Sequence, residues 1–424
     1  MRFPLLALAF VLAASTPLSG AQTSPGPAPL TLVEALRLAE THPAVRGREA
    51  QWAAAEGSRR EAASLLFNNP EFSVEQTRRR GATSDGRAND WNAGFAQTIE
   101  TGGQQARRRE ASQASLNALR AEIDDARRQA RADVALRFHA VLAAQRRVRI
   151  EQRSVELFDG TSQAVAKRRI AGEDTRLDAN VALIELERAR NALALSKEQW
   201  LDARAELGTA LQLPPSLTPE VLGDLVLPEG KALPYELEQL MVSAQALPKQ
   251  RALAAREDAA RSRVSVERAS RYPDVTVGLR VGREGPGDGR ERVATLSLSV
   301  PLPLFKHNHA AIGQALSEAV QAEIERTRAA RDVPAQVRRL WLRLDSQRQR
   351  LQRLQQAMVG AALDNQQLAA KSRQAGQIGL LDQLLVNRQA LDAQRDLNEA
   401  LAEFHTTRIE LENAAGWSQE GSTR

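Results

Sequence analysis

Cysteine is absent from all 424 residues. That excludes disulfides, thiolate-held metals and the lipid-modified N-terminal cysteine of a lipoprotein. A long apolar run is missing too. Beyond the first residues no window approaches the roughly 18 apolar residues that a spanning helix requires, and the mean hydropathy is −0.41. Any contact with a bilayer must therefore be made by strands. Strong charge of one sign is also lacking: 58 Lys+Arg stand against 52 Asp+Glu, a net charge of +6. The arginines are interleaved with Glu, Asp and Gln, as on solvated helix faces, which argues against nucleic acid as a partner. No nucleophile elbow, phosphate loop or spaced ligand set occurs, and GPGDG at 285–289 lacks the strand-to-helix context of a phosphate site. No catalytic residue and no cofactor is expected.

What is present begins with MRFPLLALAFVLAASTPLSGAQ, one Arg followed by an apolar run from Pro4 to Ala14 and a small-residue exit. This reads as a signal peptide over 1–21, which sends the chain out of the cytoplasm. A Pro/Gly/Ser linker over 22–30 follows. Thr31 with Glu34 forms a capping box for a short helix to Glu40, and Pro43 opens a second helix expected to reach Phe67.

Next come EFSVEQTR (71–78), a polar loop expected over Arg79–Asp90, and WNAGFAQTIE (91–100). Trp91, Ala93, Phe95 and Ile99 share one face of the last stretch, with Asn92, Gly94, Ala96 and Thr98 on the other, the period of a strand. The order recurs. YPDVTVGLRVG (272–282) alternates Val275, Val277, Leu279 and Val281; a Gly-rich loop leads to RVATLSLSV (292–300), which alternates Ala294, Leu296, Leu298 and Val300. Pro70 returns as Pro273, 203 residues on, and Gly172 as Gly376, 204 residues on. Two copies of one unit are thus expected, over 31–213 with a strand hairpin at 71–100, and over 233–417 with one at 274–301. A linker over 214–232 joins them, and 418–424 is a tail.

After each hairpin runs a very long helix. The first, about 65 residues from Gln104 to Arg169, would extend roughly 100 Å. Val134, Val141, Val148 and Val155 fall seven apart, with Arg137, Ala144, Glu151 and Phe158 between them; Val337, Leu344, Leu351 and Met358 repeat the heptad in the second. Pro334 is expected to kink or locally break that second run. RRIAGEDTRLD (168–178) and RQAGQIGLLD (373–382) then read as turns of helical hairpins, tips at about 170–177 and 374–381. Gly172 and Gly376 supply left-handed C-caps, and Thr175 and Gly379 start the returning helices.

The fold class is therefore mainly α with a membrane β part. Four strands cannot close a barrel, and open edges cannot face lipid. The chain must contribute its strands to a barrel shared between copies.

Across about 31–417 the sequence resembles the TolC-type outer-membrane factors, the exit ducts of bacterial tripartite efflux machines. NPEFSVEQ (69–76), QTIETGGQQARR (97–108), SVPLPLFKHN (299–308) and the paired tips carry the likeness. The Q-x-I-E-x-GG and PLPLF pair is most similar to the cobalt-zinc-cadmium branch, although Asn308-His309-Ala310 replaces that branch's Asn-Gln-Gly. The resemblance implies a homotrimer: a barrel of about twelve strands continuous with a periplasmic α-barrel. It also implies a periplasmic adaptor, a resistance-nodulation-division pump as partners, and divalent heavy-metal cations as cargo. Two alternatives stay open, a periplasmic coiled-coil scaffold without a pore and a drug-efflux duct.

Candidate residues follow. Arg169, Gly172, Leu177 and Asp178, matched by Arg373, Gly376, Leu381 and Asp382, are the adaptor-docking tips. Asp174, Asp178 and Asp382 would form cation-selective rings if multiplied by symmetry, or else serve as N-terminal helix charge. Trp91, Phe95, Tyr272 and Phe305 are membrane-interface candidates. Of the five His, only His307 and His309 are neighbours, and exposure explains them as well as a metal does.

Overall fold

The computed structural model describes residues 29–80, 87–226, 233, 235–285 and 289–417. The expected signal peptide and tail lie outside the described residues, as does most of the first linker. Thr31 caps α1 (Leu32–Leu38): its hydroxyl accepts from Glu34 N at 3.3 Å while the Glu34 carboxylate accepts from Thr31 N at 3.0 Å. The helix expected to run from Pro43 to Phe67 is two helices, α2 (Pro43–Glu49) and α3 (Trp52–Ala62). It stops early because side chains from a later helix capture its terminal carbonyls. Gln105 donates to Ala62 O at 2.9 Å and Ser64 O at 2.6 Å, and Arg109 to the same two carbonyls.

The strands β1 (Glu71–Arg80), β2 (Arg87–Ile99), β3 (Val275–Glu284) and β4 (Glu291–Ser299) form one antiparallel sheet in sequence order. The first hairpin is longer than its composition suggests. Arg79, Arg80 and Arg87 to Asp90, expected in the loop, are paired, because the buried Asp90 bonds Arg79 at 2.7 Å and accepts from Gly285 N at 3.0 Å. Register brings Phe72, Phe95, Leu279 and Leu296 into one row, and Val74, Ala93, Val281 and Ala294 into another. The opposite face carries Ser73, Gly94, Arg280 and Thr295. One face is apolar and the other polar, with β1 and β4 left as edges.

From the sheet, α4 (Gln104–Ile170) runs out as 67 residues and α5 (Arg176–Ala210) returns. After α6 (Leu237–Gln245) and α7 (Pro248–Ala269), the second repeat sends out α8 (His309–Arg353) and α9 (Gly360–Gln374), and α10 (Leu380–Ala415) returns. Left-handed residues start both outgoing helices, Gly103 at φ 75° and Asn308 at φ 57°. Asn308 is held there by donating to Glu267 O at 2.9 Å and to the Glu267 carboxylate at 2.8 Å. Pro334 neither ends nor interrupts α8. The irregularity lies further on, in a π-helical segment over Leu354–Val359 between α8 and α9.

That segment explains the two repeat spacings. Burial matches at 203 residues along the first part of the helices, with Val134, Val141, Val337 and Leu344 all at 0% exposure. Beyond it the spacing is 204, as in Val165 with Ala369, both buried, and Gly172 with Gly376. A π turn accommodates one additional residue. It also corrects the heptad: Met358 is exposed, and Val359 packs on the core in its place. The core itself joins both repeats through Phe138, Val141, Leu344, Leu351, Phe404 and Leu411.

The expected linker over 214–232 is strapped down where it is described. Leu30 and Val221 make a parallel bridge, Arg204 donates to Pro219 O and Thr218 O at 2.9 Å each, and Arg146 to Leu225 O at 2.7 Å. Under it His139 of α4 stacks on His405 of α10, ring centroids 5.0 Å apart. Val226 O lies 2.9 Å from His405 Nε2, and Ala135 O 2.8 Å from His139 Nδ1. Burial lowers the pKa of both imidazoles, with the nearby Arg408 adding to it: His139 is lowered, and His405, which also has His139 beside it, is pushed down to about 4.

An imidazole that stays neutral in the fold but protonates when unfolded leaves stability intact above pH 6.5 and removes it as pH falls towards about 4. His405→Gln, which keeps a donor for Val226 O, should flatten that acid limb in thermal unfolding in detergent. At the sheet-to-helix junction a Cβ on Gly102 would sit 2.7 Å from Tyr272 Cβ and 2.8 Å from Ala269 O. Gly102→Ala should cost about 1–3 kcal/mol, read as a lowered Tm.

Candidate functional site

The two helical tips have the same backbone. Gly172 at φ 78° and Gly376 at φ 71° each end an outgoing helix. Glu173 N donates to Arg168 O at 2.9 Å, and Gln377 N to Ser372 O at 2.8 Å, the bond that closes a Schellman turn. The returning helices start alike. Asp178 accepts from Thr175 N at 2.9 Å and from the Thr175 hydroxyl at 2.6 Å, and these bonds lower its pKa. Asp382 accepts from Gly379 N at 3.1 Å. Both carboxylates are thus engaged as caps. Beside them Leu177 and Leu381 are 71% and 67% exposed, and Ile170 is 83% exposed, so the tips present apolar side chains to solvent.

Asp174 requires a correction. Its side chain is 4% exposed and lies 2.6 Å from Arg373 Nη2 and 3.3 Å from Arg168 Nε. A buried carboxylate held by two guanidinium groups cannot serve as an open ring of charge. It ties the first tip to the second. The parallel between Arg169 and Arg373 fails for the same reason: Arg169 is exposed, while Arg373 is committed to Asp174. The residue that sequence reasoning missed is Arg168. It sits beside Arg169 in a doublet, but its counterpart in the second repeat is Ser372, so the repeat pattern gave it no weight.

Further from the tips two more buried acids of the first repeat meet arginines of the second. Glu185 of α5 accepts from Arg388 Nε at 2.8 Å. Glu151, with 0% side-chain exposure, pairs with Arg395 of α10 at 2.6 Å and with Arg147 at 2.6 Å. Apolar packing of Phe158, Leu186, Leu380 and Leu384 fills the space between. The two hairpins of one chain are therefore locked laterally by charge as well as by area.

At the other end, the apolar face of the sheet is solvent-exposed in one chain. Phe72 is 73% exposed, Phe95 52% and Leu296 77%. Phe95 lies in the middle of this band, between Phe72 and Leu279. Trp91 lies towards the loop end, between Gln76 and Arg283, where the band gives way to charge. Tyr272 and Phe305 flank the helix-side ends of β3 and β4, 63% and 94% exposed. Among the described residues no helix is long and apolar enough to cross a membrane, and no group of three or more metal-ligating side chains is found. His307 and His309 are near each other, ring centroids 5.8 Å apart.

Removing one member of the tip pair should expose its cost. Asp174→Asn leaves the half-sequestered Arg373 without its countercharge, and about 3 kcal/mol of stability should be lost. The double variant Asp174→Leu with Arg373→Met should recover most of it, as judged by thermal unfolding of both in one detergent.

Comparison with known proteins agrees with this geometry. The family model described as outer membrane efflux protein matches residues 36–211 and 243–417. The cobalt-zinc-cadmium resistance protein CzcC of Cupriavidus metallidurans is 28% identical over 339 residues, covering 79% of this chain and 76% of CzcC. VceC, an outer membrane protein of Vibrio cholerae, superposes with a TM-score of 0.75 at 17% identity, covering 91% of this chain and 96% of VceC. The MtrE outer membrane channel of Neisseria gonorrhoeae, in its open state, gives 0.74 at 18% identity, with 91% and 89% covered. The structural likenesses carry the fold, and the family model, which matches both repeats, carries the assignment: the chain belongs to the outer membrane efflux protein family and is an efflux channel of the outer membrane.

Proposed function

We propose that this channel works as a homotrimer and as the passive exit duct of a tripartite machine. A resistance-nodulation-division pump and a periplasmic adaptor would deliver its cargo. The single observation that carries the shared-barrel reading is the sheet: four strands, an apolar face and two unpaired edges that only further copies can satisfy; the number three is what the family resemblance implies. The duct performs no chemistry. Its contribution is a water-filled path whose periplasmic end opens when a partner binds the open form more tightly.

The tips are the docking surface for the adaptor. Leu177 and Leu381 supply apolar contact, and Gly172 and Gly376 permit the turn; Arg169, Asp178 and Asp382 border it with charge. Arg373 contributes by holding the first tip in place rather than by touching the partner. Threefold repetition of Asp178 and Asp382 would favour cations at the narrow end; Asp174 drops out of that set. Trp91, Tyr272 and Phe305 sit at the borders of the lipid-facing band and Phe95 within it.

Divalent heavy-metal cations are the proposed cargo, supported by the likeness to CzcC. They are substrate rather than residents, and a duct gains nothing from tight sites that would slow release.

Purified full-length protein should have the mass of three chains in detergent and give discrete conductance steps in a planar bilayer. Gly172→Pro together with Gly376→Pro should leave conductance intact but abolish adaptor crosslinking and metal efflux. Unchanged efflux with that double variant would refute the docking assignment, and a water-soluble single chain without conductance would refute the duct.

A further inference from the structure

Charge is sorted between the two faces of the sheet at its far end. β1 follows α3 and β2 leads into α4, and β3 and β4 connect likewise to α7 and α8, so the opposite end points away from the helices. In an outer-membrane channel whose helices extend into the periplasm, that end lies in the outer leaflet. Along the apolar face the rows run from Ile99 with Val275, through Phe95 with Leu279, to Gln76, Trp91, Arg283 and Arg292, and then to Arg78 with Asn89. Every charged residue in the last two rows is an arginine. The acids of the same end, Asp90, Glu284 and Glu291, alternate onto the other face, where Arg79 reaches Asp90 at 2.7 Å and Glu284 at 3.9 Å.

Arg78, Arg283 and Arg292 are exposed, and none has an ion-pair partner among the described residues. Arg283 and Arg292 also stand directly opposite one another on adjacent strands. Like charges so placed repel, and these rows hold no acid to relieve them. Depth makes the placement intelligible. From Ile99 to Trp91 the strand rises about 26 Å, or roughly 20 Å along the membrane normal at the tilt of a barrel strand. The arginines therefore sit where hydrocarbon gives way to headgroups, and Trp91, 45% exposed, lies beside Arg283 as an interfacial aromatic. The group that satisfies them must be anionic and must arrive at the end of acyl chains.

We propose that this patch binds the phosphate of an anionic outer-leaflet lipid, its acyl chains lying on Phe95, Leu279 and Leu296 while the phosphate accepts from Arg283 and Arg292. Each guanidinium can present two parallel N–H donors to phosphate oxygens. One phosphate seated between the pair thus turns mutual repulsion into a shared clamp, and Arg78 adds a third positive charge nearby. The other border of the band has no equivalent: the rows of Ile99 with Val275, and of Gln97, Val277 and Leu298, carry no charge. Recognition is therefore directed to one leaflet. The proposal rests on the shared-barrel reading above, which turns the apolar face to lipid.

The test uses full-length protein in detergent, bisphosphorylated lipid A as the probe and native mass spectrometry as the readout. Wild type should retain lipid A and release phosphatidylcholine, whose headgroup carries no net charge. R283Q with R292Q should bind lipid A about 30-fold more weakly, the loss expected for two basic groups at a lipid surface, with bilayer conductance unchanged. R280Q, which removes an arginine from the opposite face of β3, should bind as wild type does. R78Q serves should the double variant fail to assemble, and its expected loss is about fivefold. Undiminished lipid A binding in these variants, or equal retention of phosphatidylcholine by wild type, overturns the proposal. Inorganic phosphate that displaces lipid A at equal concentration reveals a site for free anions and overturns the lipid assignment. A wild-type mass of one chain without conductance overturns the barrel reading, and with it the exposure of this face to lipid.

Discussion

Unpaired backbone is the constraint on which the rest of the molecule depends. The outer strands β1 and β4 each carry a row of N–H and C=O groups, and their sheet turns an apolar face outward. In hydrocarbon no water is present to satisfy those groups, so the sheet is stable there only once its edges are joined. Because the four strands alternate in direction, β4 of a second copy set beside β1 would continue the antiparallel order. The membrane part of the fold is therefore unfinished in a single chain, and assembly completes it.

Everything on the helical side extends that requirement away from the membrane. Gly103 and Asn308 turn the chain from strand into helix through the same left-handed conformation, so both outgoing helices leave the sheet in a similar direction. Each then packs along other helices of the bundle, α4 against α5, α7 and α10, and α8 against α7 and α10. Buried ions do for the far end what the shared core does near the sheet: Glu151, Glu185 and Asp174 are spaced along the hairpins towards the tips, each with an arginine from the other repeat. Such pairs add little net stability over apolar residues but are severe towards a wrong neighbour. Their value lies in specifying which surface meets which.

Much of this architecture was legible in the sequence, because it rests on local rules. Alternation marked the strands, and Gly172 and Gly376 marked the turns by the left-handed conformation that each requires. What stayed hidden depends on residues far apart in the chain. Asp174 looked like free N-terminal charge because its partner Arg373 lies in the other repeat. The third helix stops at Ala62 because Gln105 and Arg109 bond the carbonyls at its end, and nothing within the helix announces this. Arg79 and Asp90 resembled loop residues by composition, yet their mutual bond and the Gly285 amide draw them into the sheet. Pro334, a strong local signal for a break, was overridden by the surrounding helical packing.

The π turn over Leu354–Val359 has a bearing on how the two halves can differ and still match. Added to a regular α-helix, one residue would rotate everything beyond it by about 100°, and the tip would face the wrong azimuth. Confined to a single widened turn, the surplus leaves the phase of the downstream helix intact, and Val165 and Ala369 stay on equivalent inward faces. A duplicated hairpin can thus change in length by one unit without surrendering the angular position of its end. The long helix behaves as a shaft with a built-in phase adjuster, and the pseudo-symmetry of the ring outlasts the strict symmetry of the sequence.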